Sequence, residues 1–321
     1  MKGCALILAG GEGKRMRSNR PKVLAEVLFK PLLRWVIDAV REAGIDDICV
    51  VTGSRREAVE QYISGLPFPV RTAYQPERLG TGHAVMMASE FLKDHSGERV
   101  LILNGDAPFI SPGTLKDALA AGQDCDAMVI TARVDDPTGY GRIIRDENGS
   151  SLKAIIEEKE ADDEIRKIRE INSGAYCFSV DSLLSALAKL TRSEKTGEYY
   201  LTDTIGIIKN SSGTVQAFEA ENADSVLGAN DCCQLEQLCR IAARRMHEKH
   251  WQNGVVIPCT DGVLISAEAV IGANTVILPA TVIKGSTVIG ESCELGPGIV
   301  LEDCTIADNT IVRQGIYGTD Q

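Results

Sequence analysis

A glycine-rich stretch near the start of the chain carries the residue types that bind phosphate. It runs from Leu8 to Lys22 and reads LAGGEGKRMRSNRPK. An apolar run, Cys4–Leu8, precedes it and predicts a buried parallel strand. Where a glycine-rich turn leaves such a strand, several backbone N–H groups converge and form a site for anions. Arg15 and Lys22 add positive charge there, although the chain has a formal net charge of -11.

The turn does not fit the two commonest phosphate motifs. The Walker A pattern does not occur in the sequence, and the dinucleotide fingerprint G-x-G-x-x-G fails at Met16. On its glycines alone, the turn is equally well explained as a solvent-exposed loop. The longer string G-G-x-G-x-R-M, followed by Pro21 and Lys22, is more specific. It resembles the signature of the sugar-nucleotide pyrophosphorylases, which join a nucleoside triphosphate to a sugar 1-phosphate.

Two further motifs follow predicted strands. Apolar runs at 48–51, 70–74 and 100–103 alternate with helical segments, which predicts an α/β fold with a doubly wound, mainly parallel sheet. Ligands of such sheets bind beyond the carboxyl ends of the strands. The motif QPERLGTGHA begins there at Gln75, whose amide suits a uracil or thymine edge, and we interpret His83 as structural. Asp106 follows the fourth strand and suits Mg²⁺. The alternative for the Gln75 motif is a plain strand-to-helix loop, and the alternative for Asp106 is a turn carboxylate.

The segment after residue 125 contains islands of neutral hydrogen-bonding residues. Its predicted elements are a core strand at Met128–Ile130, a hairpin with arms at Gly139–Ile144 and Leu152–Ile156 and a turn at Asn148-Gly149, an exposed helix at Asp162–Glu170 and a strand at Ala175–Phe178. The islands read GYGRI, EINSG and GEYYLTD. Such residues suit the hydroxyl and acetamido groups of a sugar, although each island alone is no better than an ordinary loop.

Taken together, these motifs resemble one enzyme family over residues 1–230. GGEGKRM, PK, QPERLGTGHA, GDAP, GYGRI, EEK, EINSG, GEYYLTD and GAN occur in the order and spacing of bacterial N-acetylglucosamine-1-phosphate uridylyltransferases. The resemblance implies a Rossmann-like nucleotidyltransferase domain that uses Mg²⁺, UTP and N-acetylglucosamine 1-phosphate to make UDP-N-acetylglucosamine and pyrophosphate. The alternatives are a relative that uses dTTP or another hexose 1-phosphate, and an inactive nucleotide-sugar sensor or assembly scaffold.

The resemblance also implies roles for individual residues. Arg15 and Lys22 would be catalytic contacts to the phosphates; Leu8, Ala9, Gly10, Gly11, Gly13, Gln75, Gly80 and Thr81 would bind the nucleotide; Gly141, Glu157, Asn172, Tyr200 and Thr202 would bind the sugar; Asp106 and Asn230 would hold Mg²⁺. The chain departs from the family pattern at Glu12, where a lysine is common, at Lys14, where a small or hydroxyl residue is common, and at Asn104, where an aromatic residue is common.

Beyond residue 230 the sequence changes character. Residues 231–253 predict a connecting helix, on which we interpret His247 and His250 as part of a solvated face rather than as metal ligands. Large apolar residues then recur every six positions from Ile265 to Leu301, as in a hexapeptide-repeat parallel β-helix, here resembling the left-handed kind. Seven hexads predict a little over two coils. The expected divisions are therefore 1–230, 231–253, 254–312 and a tail at 313–321.

Composition bounds the partners and the compartment. With 45 acidic and 34 basic residues, the chain is not expected to bind nucleic acid or an anionic membrane. Without a signal peptide or a spanning segment, it is expected to be cytoplasmic, with its ten cysteines as reduced thiols. The resemblance to left-handed β-helices implies a homotrimer through the hexapeptide segment; the alternative is that so short a β-helix docks on its own catalytic domain. In bifunctional members of the family that the chain resembles, later coils of the β-helix carry an acetyl-CoA site and a histidine that acts as base on the amine of glucosamine 1-phosphate. Because no histidine follows His250 in this sequence, we expect no acetyltransferase activity.

Overall fold

The computed structural model describes residues 3–146 and 151–313. It divides into two compact units. The first comprises Met1–Leu24 and Leu32–Asp231, and the second comprises Ala25–Pro31 and Cys232–Gln321. The hexapeptide segment and the helix before it therefore belong to one unit, together with a short segment from early in the chain.

Along the chain, the strands of the first unit are interrupted by a short hairpin that belongs to the second unit. In chain order the strands are β1 (Gly3–Leu8), β2 (Glu26–Val27) and β3 (Lys30–Pro31) of that hairpin, β4 (Ile48–Thr52), β5 (Arg71–Tyr74), β6 (Arg99–Asn104), β7 (Ala127–Arg133), β8 (Arg142–Arg145), β9 (Leu152–Ile156), β10 (Glu170–Ser179) and β11 (Val215–Glu219). Apart from β2 and β3, they form one sheet, so the first unit is built on a single sheet.

Helices flank this sheet. They are α1 (Leu32–Glu42), α2 (Arg56–Ser64), α3 (Thr81–Met87), α4 (Ser89–Lys93), α5 (Pro112–Ala121), α6 (Asp163–Arg166), α7 (Val180–Leu187) and α8 (Asp203–Asn210). Across residues 3–146 and 151–313, no helix is both long enough and apolar enough to cross a membrane. Helices α3 and α4 are separate, because the backbone at Ala88 leaves the helical region.

The sheet is mixed and mainly parallel, as predicted. Its main path is β11-β7-β10-β6-β1-β4-β5, and β8 and β9 extend from β10. Strand β1 runs parallel to β4 and β6, and β4 runs parallel to β5. The carboxyl ends of these four strands therefore lie at one edge of the sheet, and the loops that carry the predicted nucleotide and metal residues leave from that edge.

The central strand explains why the sheet is covered on both faces. Cys4, Ala5, Leu6 and Ile7 of β1 are fully buried. Ala5 and Ile7 belong to one apolar cluster, which includes residues of α1, and Cys4 and Leu6 belong to another, which includes residues of α3 and α4. A continuous apolar run in a parallel strand thus reflects burial on both faces. All ten cysteines of the chain are free in the structure.

The exposed helix predicted over Asp162–Glu170 is wrong in its second half. Helix α6 is a single turn, and Glu170 opens β10 with only 3% of its surface exposed. Its carboxylate pairs with Arg145 and accepts a 3.0 Å hydrogen bond from the Thr131 hydroxyl. These contacts hold the residue in the sheet. The predicted hairpin arms are confirmed by the β8–β9 pairing, whereas the turn at Asn148-Gly149 lies outside the described residues.

The second unit contains a long helix and short strands in three stacked rows. Helix α9 spans Cys232–Gln252, and the strands are β12 (Leu264–Ile265), β13 (Val270–Ile271), β14 (Val276–Ile277), β15 (Val282–Lys284), β16 (Val288–Ile289), β17 (Glu294–Leu295), β18 (Val300–Glu302), β19 (Thr305–Ile306) and β20 (Ile311–Val312). They form three parallel sheets, each built from every third strand. This is the arrangement of the predicted left-handed parallel β-helix.

The β-helix has more coils than the hexad count predicts. Ile265, Ile283 and Leu301 stack at intervals of 18 residues, whereas Ile289 pairs with Ile306, 17 residues later. The chain is one residue shorter at the turn that contains Asp303, which has a φ of 46°. This deletion ends the strict six-residue period, but β18, β19 and β20 complete a third coil. The tail at 314–321 lies outside the described residues.

The solvated face predicted for His247 and His250 is wrong. Their exposed fractions are 5% and 2%, because this side of α9 packs within its own unit. Nε2 of His247 lies 2.9 Å from the carbonyl oxygen of Val263, and both ring nitrogens of His250 lack a partner among the described residues. Burial lowers the pKa of His250 to about 4, and the charges of Lys249 and His247 add to this shift. His250 is therefore a neutral core residue at pH 7.

Candidate active site

The glycine-rich turn begins where β1 ends. The Ala9 N–H donates to the Val51 carbonyl at 2.9 Å, which fixes the start of the turn beside β4. Gly10 is packed so closely that a Cβ would lie 3.0 Å from Oε1 of Gln75. Gly13 has a φ of +63°, and a Cβ there would lie 2.9 Å from Cβ of Lys22. Position 13 therefore needs glycine, whereas a side chain at position 10 would require the Gln75 side chain to shift, and the backbone stays open to a ligand on this side.

A lysine, a carboxylate and an amide from three distant segments meet beside this turn. Nζ of Lys22 forms an ion pair with Asp106 and donates a 3.1 Å hydrogen bond to Oδ1 of Asn230. Asp106 lies just beyond β6, where the Gly105 N–H donates to the Leu8 carbonyl at 2.9 Å. The Ala229 N–H donates to the Asp106 carbonyl at 3.3 Å. The sheet edge and the 228–230 loop thus hold the carboxylate of Asp106 and the amide oxygen of Asn230 close together.

These two oxygen atoms are suitable ligands for a hard divalent cation. The carboxylate of Asp106 and the amide oxygen of Asn230 already converge on a positive charge, the ammonium group of Lys22. A site with one carboxylate and one amide leaves room for water and substrate phosphates, which is how Mg²⁺ is usually held. Across the part of the chain that the structure describes, no three His, Cys, Asp or Glu side chains cluster as in a zinc site.

The second loop is held in place by its own hydrogen bonds. Gln75 is 5% exposed, and its Nε2 donates to the Gly80 carbonyl at 3.0 Å and lies 3.2 Å from Nδ1 of His83. Gly80 has a φ of +100°, which a side chain would strain. Residues 79–82 are bound to Tyr199 by backbone bonds: Tyr199 N–H to the Leu79 carbonyl at 2.7 Å, and Gly82 N–H to the Tyr199 carbonyl at 2.8 Å.

Four of the five residues predicted for the sugar, Gly141, Glu157, Asn172 and Thr202, lie together, whereas Tyr200 lines the neighbouring cavity. The Thr202 hydroxyl donates to Oε1 of Glu157 at 3.0 Å. Burial raises the pKa of Glu157, and this hydrogen bond offsets only part of the shift. Asn172 donates from Nδ2 to the Tyr176 hydroxyl at 2.6 Å, and its backbone N–H donates to the Gly141 carbonyl at 2.8 Å. Amide, hydroxyl and carboxylate groups are thus fixed around one space.

Two adjoining cavities collect these residues. The larger, of about 430 Å³, is lined by Leu8, Ala9, Gly10, Gly11, Lys22, Val23, Gln75, Arg78, Gly80, Thr81, Ala84, Asn104, Asp106, Glu157, Glu198 and Tyr200. The smaller, of about 230 Å³, is lined by residues that include Gly141, Glu157, Asn172, Thr202 and Asn230. The cavities share Leu8, Thr81, Asn104, Asp106 and Glu157. Two ligands could therefore bind side by side with Asp106 at their junction.

The structure does not bring every predicted residue to the cavities. Arg15 is exposed in a 3₁₀ turn, Lys14–Met16, and neither Arg15 nor Gly13 lines a cavity. Conversely, sequence reasoning gave no role to Arg78, Glu198 or Tyr140, which do line them. All three lie inside the motifs quoted above. The available signal was the presence of charged and aromatic residues in those loops, but it could not show which ones face inward.

Comparison with known proteins agrees with this geometry. Residues 4–243 match the nucleotidyl transferase family. The chain is 44% identical over 314 residues to the bifunctional protein GlmU of Caldanaerobacter subterraneus subsp. tengcongensis. The aligned region covers 97% of this chain and 67% of that protein. With the same coverage of each chain, it is 43% and 41% identical to the proteins of the same name from Acetivibrio thermocellus and Thermoanaerobacter pseudethanolicus. The chain therefore belongs to the nucleotidyl transferase family and is a GlmU-like nucleotidyltransferase.

Proposed function

We propose that this chain is a Mg²⁺-dependent uridylyltransferase that makes UDP-N-acetylglucosamine and pyrophosphate from UTP and N-acetylglucosamine 1-phosphate. The observation that carries the proposal is the pair of adjoining cavities that share Asp106. One contains the glycine-rich turn and Gln75, which suit a nucleotide. The other contains the amide and hydroxyl groups of Asn172 and Thr202, which suit a sugar.

The reaction asks mainly for positioning and charge compensation. A sugar 1-phosphate is already an anionic nucleophile, so its oxygen attacks the α-phosphorus of UTP without a general base, and pyrophosphate leaves. The barrier arises from bringing two polyanions together and from charge on the leaving group. When bound by Asp106 and Asn230, Mg²⁺ would supply charge neutralisation at the phosphates. The proposed reaction needs no general base. This agrees with a structural role for His83, whose ring lies against the Gln75 amide.

The chain's own residues would perform the remaining tasks. In this proposal the backbone N–H groups of residues 10–13 bind the triphosphate, and Lys22 moves between Asp106 and the phosphates. Gln75 and Gly80 hold the base. Glu157 accepts a hydrogen bond from a sugar hydroxyl, as it accepts one from Thr202 in the structure. Preorganised donors of this kind commonly contribute about 3–4 kcal/mol each to transition-state stabilisation.

One assay tests both the reaction and its specificity. Purified protein with Mg²⁺ is mixed with UTP or dTTP and a panel of sugar 1-phosphates, and pyrophosphate release is measured. We expect the highest kcat/KM for UTP with N-acetylglucosamine 1-phosphate. A preference for dTTP or another hexose would replace the proposed substrates, and no release with any pair would favour a nucleotide-sugar sensor. A preparation of the Asp106→Asn variant controls for contaminating enzymes.

The relatives are named bifunctional, and the second activity is a separate question for this chain. The expectation from the sequence, that the 321-residue polypeptide does not acetylate glucosamine 1-phosphate, stays a prediction. Thiol release from acetyl-CoA at high enzyme concentration measures it directly. Release that depends on glucosamine 1-phosphate would show that the prediction is wrong.

A further inference from the structure

An ion pair joins the two loops at the larger cavity. Nη1 of Arg78, in the loop after β5, contacts Oε2 of Glu12, in the glycine-rich turn, 66 residues away in the chain. The two side chains are 47% and 37% exposed. A pair this exposed contributes little to folding stability, so stability alone does not account for a carboxylate in a phosphate-binding turn.

Arg78 is one of two cations at the larger cavity. Among the described residues that line it, the cations are Lys22 and Arg78, and the carboxylates are Asp106, Glu157 and Glu198. Lys22 is already paired with Asp106, inside the cavity. Arg78 differs from Lys22 in this respect, because its partner, Glu12, does not line the cavity. A nucleoside triphosphate carries several negative charges at neutral pH, so Arg78 is a second cation, besides Lys22, that is placed to compensate them.

The contact with Glu12 shows which ligand group Arg78 can bind. A carboxylate oxygen and a phosphate oxygen accept hydrogen bonds from the same N–H groups of a guanidinium, so the Glu12 oxygen stands in for a phosphate oxygen. We propose that Arg78 is a phosphate-binding residue for the nucleotide, and that Glu12 is its partner only while the cavity is empty. This inference rests on the proposed function in one respect, which is that a nucleotide occupies the larger cavity.

The exchange makes a prediction that a merely structural pair does not make. If Glu12 competes with phosphate for Arg78, removing the charge of Glu12 strengthens nucleotide binding, and removing Arg78 weakens it. If the pair only holds the two loops together, both changes weaken binding. The two substitutions therefore act in opposite directions in the first case and in the same direction in the second.

Calorimetric titration of the full chain with nucleotide and phosphate ligands, in buffer that contains Mg²⁺, separates these cases. The ligands are UTP, inorganic tripolyphosphate and uridine, and the proteins are the unchanged chain, Arg78→Ala, Arg78→Lys and Glu12→Gln. We expect Arg78→Ala to weaken UTP and tripolyphosphate binding about tenfold, the effect of losing one charge-assisted contact. Arg78→Lys should lose less, and Glu12→Gln should bind both ligands about threefold more tightly, a fraction of one such contact. Uridine affinity should not change in any variant.

A matched pair controls for general effects of charge. Arg244 and Glu248 form an exposed ion pair on α9, and Arg244→Ala and Glu248→Gln should leave all three affinities unchanged. Weaker UTP binding by both Arg78→Ala and Glu12→Gln, or equal changes for UTP and uridine, would overturn the role of Arg78. Failure of the proposed function looks different: UTP would not bind, yet tripolyphosphate would still show the opposite shifts.

Discussion

The Thr202 hydroxyl and Oε1 of Glu157 are 3.0 Å apart, and this hydrogen bond joins the end of β9 to the segment that opens α8. The Glu157 carboxylate also borders both cavities. Like Asp106, it is therefore an acidic group whose ionisation would be felt by a ligand in either cavity. Its environment is costly for a charge, because burial raises its pKa despite the hydrogen bond from Thr202.

Glu157→Gln should separate stability from function. Since the pKa of Glu157 is higher in the folded state than in the unfolded state, the folded state binds the proton more tightly. The free energy of unfolding therefore falls as pH rises from the unfolded pKa through the folded one. The neutral variant should lack this fall and be at least as stable at pH 7, while kcat/KM for the sugar 1-phosphate drops about tenfold or more. Thermal unfolding from pH 4 to 8 and steady-state kinetics measure the two effects, with exposed Glu221→Gln as control. Lower stability of Glu157→Gln at pH 7 would contradict this account.

Asp106→Asn should remove most of the activity. The carboxylate pairs with Lys22 and is one of the two proposed metal ligands, so its charge is needed both with and without substrate. We expect kcat to fall at least about 100-fold, in line with the loss of one strong electrostatic contact in a transition state. Pyrophosphate release across a range of Mg²⁺ concentrations measures this, and Asp117→Asn on the exposed side of α5 is the control. Full activity at low Mg²⁺ would mean that the metal is held elsewhere.

Arg15→Ala should lower turnover more than it weakens sugar binding. The family resemblance places Arg15 at the triphosphate, yet in the structure it is exposed and outside both cavities. A contact made only after the substrates bind would act on developing charge and appear in kcat. Steady-state kinetics with saturating UTP test this, with exposed Lys116→Ala as control. A rise in the KM for the sugar alone would mean that Arg15 binds the sugar substrate instead. No effect on kcat or KM would mean that Arg15 does not contact the substrates.

The β-helix should be the surface through which copies of the chain associate. Val270 and Val288 are paired in register on β13 and β16, and they are 60% and 42% exposed. From this apolar row we infer a contact surface between copies of the chain. We expect a homotrimer in light scattering, and Val270→Glu combined with Val288→Glu should reduce the mass to that of one 34.6 kDa chain. An unchanged mass in the double variant would exclude this row as the contact.

The sequence predicts strands and loops better than it predicts where a periodic pattern stops. Hexads identify the β-helix because each inward residue must be large and apolar. A single-residue deletion near Asp303 hides the third coil from any count at a fixed period, although Ile306 and Val312 still stack under the earlier coils. Stacking tolerates a shorter turn, whereas a period in the sequence does not.

The candidate site shows a similar limit. Glycines at positions 10, 13 and 80 could be identified because they stand in glycine-rich motifs after predicted strands, and the structure shows a close contact or a positive φ at each. The pairing of Arg78 with Glu12 could not, because it depends on how two loops 66 residues apart meet. The burial of His250 was missed for the same reason: helical spacing places it on a face of α9, but only tertiary packing shows that the face is covered.

The buried His250 should make the second unit sensitive to acid. Its pKa is lowered to about 4 in the folded state, below the ordinary value of 6.5, so the unfolded chain binds the proton more tightly. The free energy of unfolding should therefore decrease as pH falls from about 6.5 toward about 4, by on the order of 3 kcal/mol if no other group compensates. His250→Leu removes the titrating group and keeps an apolar side chain in the core, so its unfolding free energy should change less over this range. Denaturant unfolding of both proteins between pH 7 and 4 measures the difference, and parallel curves for the two would show that His250 does not control the acid response.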